Sequence, residues 1–364
     1  MKVPMRFLNR TKLLAGYLFR KADLGAAQPV EYIVETTAKC NLYCPMCPRE
    51  THKQPKEDMT AEVFERFVHE TDRAAEHVML IGLGEPFMDK AIFSRIEYCE
   101  QHGIATLLST NGTFLDEATC DKILRSPLRH ITLSMDGTSK ESFEYYRKGA
   151  RFEKVRDNFV RLCRMKHERR APIQIVVQMI RMEKTEPEVD EFRRFWSAVP
   201  GVDLVRIKAD ETDLLQPDAG HAPEDWKYPC HYLWRGAMYV KHNGDVYPCC
   251  QSYMLDGAPV GNIGRQPMGE VFNGAAMQDL RRKHAAGRGG EVEMCSRCRT
   301  AIPHPLLVAG SLMLHGETVR KLLPVVERLI YFSSLPKRWL TPQRRHAAPG
   351  KREDLVQIGP GPGK

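Results

Sequence analysis

Three closely spaced cysteines are the residues of this 364-residue chain best suited to chemistry. Cys40, Cys44 and Cys47 have the spacing C-x3-C-x2-C directly after an apolar, strand-like run, and no fourth cysteine lies near them. Thiolates are the usual protein ligands of iron–sulfur clusters. A cluster held by only three thiolates keeps one iron open to a small molecule, and an open iron turns an electron carrier into a catalyst.

Two other interpretations of this loop stay open from the residues alone. Zinc could bind the three thiolates together with His52, which lies five residues after Cys47. The C-x2-C pair could instead form a redox disulfide. Short cysteine-rich spacings also occur in zinc proteins, so the choice depends on the rest of the chain.

A second group of cysteines lies towards the C-terminal end. Its members are Cys230, Cys249, Cys250, Cys295 and Cys298. Four thiolates saturate a 4Fe–4S cluster, so this group has enough ligands for an auxiliary cluster, and a zinc ribbon is the alternative. The other three cysteines, Cys99, Cys120 and Cys163, fall inside predicted helices, where we expect small buried hydrophobic residues.

Short polar motifs follow three consecutive predicted strands. They are Gly82-Leu-Gly-Glu-Pro86, Ser109-Thr-Asn-Gly112 and Ser134-Met-Asp-Gly137. Glycines let a ligand approach the backbone closely, and the carboxylate of Glu85 can accept a hydrogen bond from an ammonium group. Each motif alone is a common turn sequence. Their occurrence at successive strand ends, downstream of the cysteine loop, favours one shared binding site.

Six predicted strands alternate with helices and would position these motifs. The strands cover residues 30–36, 77–84, 104–109, 130–135, 172–180 and 202–208, and the helices cover 60–73, 91–102, 115–125, 139–147, 152–168 and 185–196. The last helix is predicted to begin with a capping box at Thr185–Glu188. Nearly continuous apolar strands between helices indicate a parallel α/β sheet, whose functional residues gather at the carboxyl ends of the strands.

The cysteine loop resembles the signature loop of the radical S-adenosylmethionine (radical SAM) superfamily, whose open iron binds the amino and carboxylate groups of the methionine moiety. The motif at Gly82–Pro86 is similar to the family's GGEP motif, although Leu83 separates its glycines. The two later motifs look like the strand ends that meet the ribose and the carboxylate. The resemblance therefore implies cofactor contacts at Gly82, Gly84, Glu85, Ser109, Asn111, Ser134 and Asp136. It also implies a contact at Met46, where the family usually has an aromatic residue against the adenine.

The downstream cysteines resemble a shortened SPASM domain, or twitch domain, with one auxiliary 4Fe–4S cluster. Residues 30–299 share the layout of the inosamine dehydrogenase of aminoglycoside biosynthesis. The implied ligands are Cys230, Cys249, Cys295 and Cys298, because Cys249 fits the family's G-x4-C spacing after Gly244. Cys250 remains the alternative to Cys249. The resemblance thus predicts a partial (β/α)6 barrel in the α/β class, followed by a small Cys-rich auxiliary-cluster domain and a helical C-terminal extension.

The resemblance implies three cofactors: two 4Fe–4S clusters, one of them auxiliary, and S-adenosylmethionine. Reductive cleavage of S-adenosylmethionine would give a 5′-deoxyadenosyl radical that abstracts a substrate hydrogen, and the auxiliary cluster would then take an electron. We expect net oxidation of a small-molecule, sugar or lipid-linked substrate, with flavodoxin or ferredoxin as electron donor; no catalytic residue is assigned. The alternative is a peptide-modifying maturase that works with a separate recognition protein, since only about thirty residues precede the first strand.

The net charge of +8 is concentrated at the two ends, with +5 over residues 1–24 and +6 over residues 300–364. A nearly neutral middle argues against nucleic-acid binding. A zinc-dependent nucleic-acid binder or an iron–sulfur electron carrier would also leave the Gly82–Pro86 motif unexplained. Both ends are basic and amphipathic, so they either pack against the body, which we favour, or lie on a membrane surface.

We expect a cytoplasmic protein, because no apolar run is long enough to span a bilayer and eleven cysteines indicate a reducing compartment. Such a protein could also contact the membrane surface peripherally. The predicted regions are an N-terminal extension (1–29), a radical SAM core (30–215), an auxiliary-cluster domain (216–303), an amphipathic helical extension (304–340) and a disordered tail (341–364).

Overall fold

The structure is a computed structural model, and it describes residues 2–50, 55–209, 228–254, 257–296, 298, 302 and 304–313. Several sequence predictions lie outside these residues. They concern His52 as a zinc ligand, most of the helical extension at 304–340 and the tail at 341–364.

Nine strands of the described chain form one sheet in the order β6-β5-β4-β3-β2-β1-β7-β8-β9. Their bounds are β1 Glu31–Val34, β2 His77–Met79, β3 Ala105–Thr110, β4 His130–Ser134, β5 Gln174–Arg181, β6 Leu204–Ala209, β7 Met238–Val240, β8 Asp245–Tyr247 and β9 Gly261–Asn262. Strands β1 to β6 are all parallel to their neighbours. The predicted α/β core with its parallel sheet is therefore confirmed.

Thirteen α-helices accompany the sheet in the described residues. They are α1 Lys2–Leu18, α2 Ala61–Thr71, α3 Ile92–Gln101, α4 Glu117–Arg125, α5 Lys140–Tyr146, α6 Phe152–Arg169, α7 Val189–Ala198, α8 Tyr232–Arg235, α9 Cys250–Met254, α10 Met268–Asn273, α11 Ala275–Ala285, α12 Glu293–Ser296 and α13 Pro305–Met313. Local caps explain several starts: the side chains of Thr60, Asp116 and Ser139 accept hydrogen bonds from the first turns of α2, α4 and α5. Cys99, Cys120 and Cys163 are fully buried in α3, α4 and α6, as predicted.

The predicted capping box at Thr185–Glu188 is wrong. Residues Glu186–Glu188 form a 3-10 turn, and α7 starts only at Val189 without a side-chain cap. The Thr185 hydroxyl instead donates to the carbonyl of Ile180 at 2.7 Å, which closes the turn after β5. The Glu188 carboxylate accepts from the Ser139 hydroxyl at 2.7 Å. Tertiary partners thus outcompete the local capping pattern.

The C-terminal region continues the same sheet. Strand β7 pairs with β1 in parallel, and β8 and β9 follow in antiparallel pairing. The first strand therefore lies between the core and the cysteine-rich region, and its carboxyl end leads into the cysteine loop. The domain boundaries given above stay predictions, since the sheet crosses them and residues 210–227 are not described.

Among the described helices, none combines the length and the apolar character needed to cross a bilayer.

Candidate functional site

The cysteine loop after β1 is held by the segment that precedes α2. The Thr37 hydroxyl donates to Asp58 at 2.6 Å, and the Lys39 ammonium group pairs with the same carboxylate at 2.7 Å. Within the loop, the backbone amide of Cys47 donates to the carbonyl of Cys44 at 3.0 Å. These contacts fix a short loop in which neighbouring thiols lie close enough to affect the ionisation of Cys44 and Cys47.

Burial dominates the ionisation of these thiols. It raises the pKa of Cys47 to about 11, and it also raises the pKa of Cys40 and Cys44; the neighbouring thiols add to the shift at Cys44 and Cys47. All eleven cysteines of the chain are free of disulfides. A metal centre that bound here would have to displace these protons, so its binding would be coupled to proton release.

The glycines of the Gly82–Pro86 motif make room for other parts of the protein. A Cβ on Gly84 would lie 2.1 Å from the carbonyl oxygen of Thr37, and a Cβ on Gly82 would lie 2.6 Å from the Glu35 side chain. Close approach also lets the amide of Glu85 donate to the carbonyl of Lys39 at 2.8 Å. The motif therefore packs directly on the cysteine loop, and the absence of side chains at both glycines permits this contact.

Glu85 is a buried carboxylate at this junction. The Thr110 hydroxyl donates to it at 2.6 Å and the Asn111 amide at 2.8 Å, both from the carboxyl end of β3. Burial raises the pKa of Glu85 to about 7, although these two hydrogen bonds work in the opposite direction. The charge of this carboxylate is thus poised to change near neutral pH.

The predicted polar residues of β3 and β4 lie together. The hydroxyls of Ser109 and Ser134 are 3.2 Å apart, and the Asn111 side-chain amide donates to Asn41 of the cysteine loop at 3.0 Å. The same amide lies 4.0 Å from the sulfur of Cys40. Met46 is half-buried and packs against the main apolar core.

Asp136 is fully buried, and protein groups occupy both of its carboxylate oxygens. One oxygen accepts from the backbone amide of Ile180 at 2.8 Å, and the other accepts from the Arg147 guanidinium at 2.7 Å. Asp136 and the thiols of Cys44 and Cys47 raise the pKa of Arg147, against a lowering by burial. The sequence analysis missed Arg147, which brings a buried positive charge to the cysteine loop.

The five downstream cysteines also converge. They are Cys230 two residues before α8, Cys249 in the turn after β8, Cys250 at the start of α9, Cys295 in α12 and Cys298. Burial raises the pKa of Cys230, Cys249 and Cys295, and thiols of the same group add to each shift. Cys230 and Cys298 raise the pKa of Cys249, and Cys249 in turn raises the pKa of Cys295. The sulfur of Cys249 accepts a hydrogen bond from the amide of Ser252 at 3.4 Å.

Three tyrosines from β7, β8 and α9 form an aromatic cluster near the two cysteine groups. Tyr239 stacks on Tyr253 with ring centroids 4.7 Å apart, and Tyr247 contacts both rings edge-on. These tyrosines belong to an apolar cluster with Ile33, Leu83 and Ala237, against which Cys47 of the first group and Cys250 of the second both pack. The two cysteine groups therefore contact one shared apolar cluster.

Glu35, another residue that the sequence analysis missed, ties this cluster to the core. Its buried carboxylate accepts from the Tyr239 hydroxyl at 2.6 Å and from the amide of Leu83 at 3.1 Å, and it pairs with His242 at 2.9 Å. The only sequence signal was a carboxylate near the end of a mostly apolar predicted strand, shortly before the cysteine loop.

Comparison with protein families assigns both regions. A model of the radical SAM superfamily matches residues 34–194, and a model of the SPASM iron–sulfur cluster-binding domain matches residues 230–299. The chain therefore contains a radical SAM domain followed by a SPASM domain. Members of this superfamily are enzymes, and their cofactors are S-adenosylmethionine and a 4Fe–4S cluster, to which a SPASM domain adds auxiliary iron–sulfur binding.

Individual relatives of this radical SAM chain cover less of it. The AdoMet-dependent heme synthase of Methanosarcina barkeri is 27% identical over 114 residues, which are 31% of this chain and 33% of that protein. The PqqA peptide cyclase of Rhizobium meliloti is 32% identical over 116 residues, or 31% of each protein. The matches thus span about a third of the length of these curated relatives.

A solved structure matches over a larger part of the radical SAM chain. BtrN in complex with AdoMet and 2-DOIA superimposes with a TM-score of 0.51 and 16% identity, over 76% of this chain and 95% of that chain. At this level of identity the likeness shows the fold.

The donor sets fit the cofactors of the family. One buried and two half-buried thiols in one loop suit a cluster with an open iron, and five neighbouring thiols exceed the four that a saturated cluster needs. The assignment of Cys40, Cys44 and Cys47 to the first cluster, and of Cys230, Cys249, Cys295 and Cys298 to the auxiliary one, stays a prediction. So do the S-adenosylmethionine contacts, although the structure brings Glu85, Ser109, Asn111 and Ser134 to neighbouring strand ends.

The affinity for S-adenosylmethionine is expected to depend on pH through Glu85. The ionised carboxylate is the better acceptor for the amino group, so the affinity should be up to about tenfold lower at pH 6 than at pH 8, with its midpoint near the pKa of about 7. Binding to the cluster-loaded protein at pH 6, 7 and 8 under anaerobic conditions measures this pH dependence. Glu85→Gln should bind S-adenosylmethionine more weakly at pH 8, and its affinity should no longer depend on pH. Glu57→Gln, at an exposed site, should keep the wild-type affinity and its pH dependence. A pH dependence that survives in Glu85→Gln would assign the proton to another group.

Proposed function

We propose that this chain is a radical SAM oxidoreductase that removes two electrons from its substrate. When bound, the first cluster and S-adenosylmethionine supply a 5′-deoxyadenosyl radical, and the auxiliary cluster supplies an acceptor for the electron left on the substrate. A hydrogen atom, a proton and one electron then leave the substrate. Together these losses convert an alcohol to a ketone or join two groups in a cross-link.

The observation that carries this proposal is the apolar cluster that the two cysteine groups share. Cys47 and Cys250 both pack against the cluster that contains Tyr239, Tyr247 and Tyr253. A saturated cluster beside the first site can act as an electron acceptor only if the two are close. The pairing of β1 with β7 holds the two cysteine groups near each other, because β1 leads to one group and the β7–β8 hairpin leads to the other.

The residues of the chain would have separate tasks in this reaction. Glu85 would hold the amino group of S-adenosylmethionine, and Arg147 would balance negative charge on the cluster thiolates. Glu35 would hold the aromatic cluster against the core through Tyr239 and His242. Since these groups are buried, the site would exclude water from a reactive radical.

We prefer a small-molecule, sugar or lipid-linked substrate. The support is the likeness to BtrN, a radical SAM dehydrogenase with a SPASM-like domain, over 95% of its length. The second candidate is a peptide that a separate recognition protein presents, which the local similarity to the PqqA peptide cyclase favours. Either reaction needs a one-electron donor of low potential, and flavodoxin or ferredoxin has the required chemistry.

Isotope transfer tests the proposal. With a deuterated aminocyclitol or a deuterated peptide as substrate, deuterium should appear in 5′-deoxyadenosine, and the product should lack two hydrogens. Cys295→Ala should still cleave S-adenosylmethionine but should fail to release the oxidised product, whereas Cys163→Ala, in the buried face of α6, should behave as the wild type. A product isomeric with its substrate would contradict the proposal, and so would full oxidation by Cys295→Ala.

A further inference from the structure

Helix α1 packs against the protein through one face only. On that face Leu13 and Tyr17 are buried, and the Tyr17 ring meets Trp234 edge-on with centroids 5.9 Å apart. One face of α1 therefore packs against the body, as expected for the N-terminal extension.

The opposite face of α1 is also apolar, yet it is exposed. Phe7 is 65% exposed, Leu8 56% and, just beyond the helix, Phe19 74%. Helix α13 packs beside α1 and adds Leu306 and Met313, which are 75% and 68% exposed. A soluble helix normally turns a polar face to water, and a concentrated apolar patch on a surface indicates a binding site.

This apolar surface, called the outer face below, collects most of the exposed large hydrophobic side chains. Eight of the twelve in the described part of the chain belong to α1, to Phe19 just beyond it or to α13. They are Met5, Phe7, Leu8, Leu18, Phe19, Leu306, Leu307 and Met313. Such a concentration would not arise if exposed apolar residues were scattered at random over the surface.

The orientation of α1 is fixed, so the outer face has no means of turning inwards. The side chain of Asn9 donates to the carbonyl of Gln28 at 2.8 Å and accepts from its amide at 2.9 Å. Arg10 forms a buried ion pair with Glu76 on the same inner side. Both contacts would have to break before the helix could rotate.

The charges around the outer face are positive. No acidic residue occurs in residues 1–22, and Lys12, Arg20 and Lys21 are exposed there. The sequence after Met313 contains ten Lys or Arg residues against four Asp or Glu residues. Basic residues that flank an apolar helical face match a bilayer with anionic headgroups. A second copy of this chain would instead bring the same positive charges together.

We propose that the outer face docks on the surface of an anionic phospholipid bilayer. The apolar side chains of α1 and α13 enter the boundary between headgroups and acyl chains, and the flanking lysines and arginines contact the headgroups. The enzyme thereby works at a membrane surface, and the described residues contain no helix that could span the bilayer. This inference does not depend on the reaction proposed above.

Sedimentation with vesicles tests the docking. The full chain, loaded with its clusters, should pellet with vesicles of phosphatidylcholine and phosphatidylglycerol, less with phosphatidylcholine alone, and less again as salt is raised. The double variant Phe7→Glu/Phe19→Glu should bind at least about tenfold more weakly, because each buried phenylalanine contributes strongly to insertion. Leu306→Glu/Met313→Glu tests the same face independently through α13. Phe195→Glu, on the exposed side of α7, is the matched control and should bind as the wild type does.

Three results would overturn the docking proposal. The protein could stay in the supernatant with both kinds of vesicle, or Phe195→Glu could weaken binding as much as the outer-face variants do. Light scattering could also reveal a dimer that the outer-face variants dissociate, which would assign the face to a second copy. Cleavage of S-adenosylmethionine with a chemical reductant should stay unchanged in all variants, so failure of docking is distinguishable from failure of the proposed reaction.

Discussion

Replacing Cys44 with alanine is expected to abolish cleavage of S-adenosylmethionine and to remove about half of the iron. Wild-type protein prepared without oxygen should contain about eight irons per chain if each domain binds one 4Fe–4S cluster, and the variant about four. The first cluster has only three predicted protein ligands, so the loss of one leaves two thiolates, which are too few to retain it. Iron and sulfide analysis, together with assay of 5′-deoxyadenosine in the presence of a reductant, measures both effects.

The matched control is Cys120→Ala. Cys120 is equally free of disulfides and is buried in α4, outside both cysteine groups. Its replacement should lower stability slightly and should leave the iron content and the cleavage rate unchanged. The cysteine-loop assignment is wrong if Cys44→Ala retains about eight irons or cleaves the cofactor at the wild-type rate.

The core of the fold could be predicted because its signals are local. The strand that ends at Ser134 and the helix capped by Asp116 each follow from apolar periodicity and a neighbouring polar residue. The second strand was predicted too long, to residue 84, and the structure ends it at Met79. Beyond Met79 the chain must pack against the cysteine loop, and that contact depends on residues more than forty positions away.

The interpretation of Gly84 illustrates a second limit of the sequence. A glycine beside a predicted ligand site suggests space for the ligand, and the sequence offers no other reason for it. In the structure, the carbonyl oxygens of Thr37 and Lys39 occupy the space that a side chain would need. The motif was placed correctly, but its glycines position the cysteine loop.

The charged partners of the site could not be paired from the sequence. Glu35 meets His242 across 207 positions, and only the pairing of β1 with β7 brings them together. The sequence analysis missed Arg147 for a different reason: an arginine at the end of a short helix is usually exposed. Its burial follows from the fold around the cysteine loop and from the charge of Asp136.

Arg147→Gln is expected to destabilise the protein by about 3–5 kcal/mol, because it leaves the buried Asp136 carboxylate without its positive partner. The Asp136 side chain is 1% exposed and that of Arg147 is 15% exposed, so water cannot replace the lost interaction. Asp136→Asn alone should also destabilise, since the arginine then stays buried and uncompensated. The double variant Asp136→Asn/Arg147→Gln should be more stable than the sum of the single effects predicts. Urea unfolding of the four metal-free proteins measures this coupling.

The cluster provides a second readout that a purely structural ion pair would not change. Arg147 lies beside Cys44 and Cys47, so its removal takes away positive charge and should shift the reduction potential of the first cluster to more negative values. The double variant removes one charge of each sign, so its reduction potential should lie closer to that of the wild type. The exposed pair of Arg181 and Glu186 is the control: Arg181→Gln should cost less than about 1 kcal/mol and leave the potential unchanged. If Arg147→Gln cost no more than Arg181→Gln and left the potential unchanged, the buried pair would have no role in supporting the cluster.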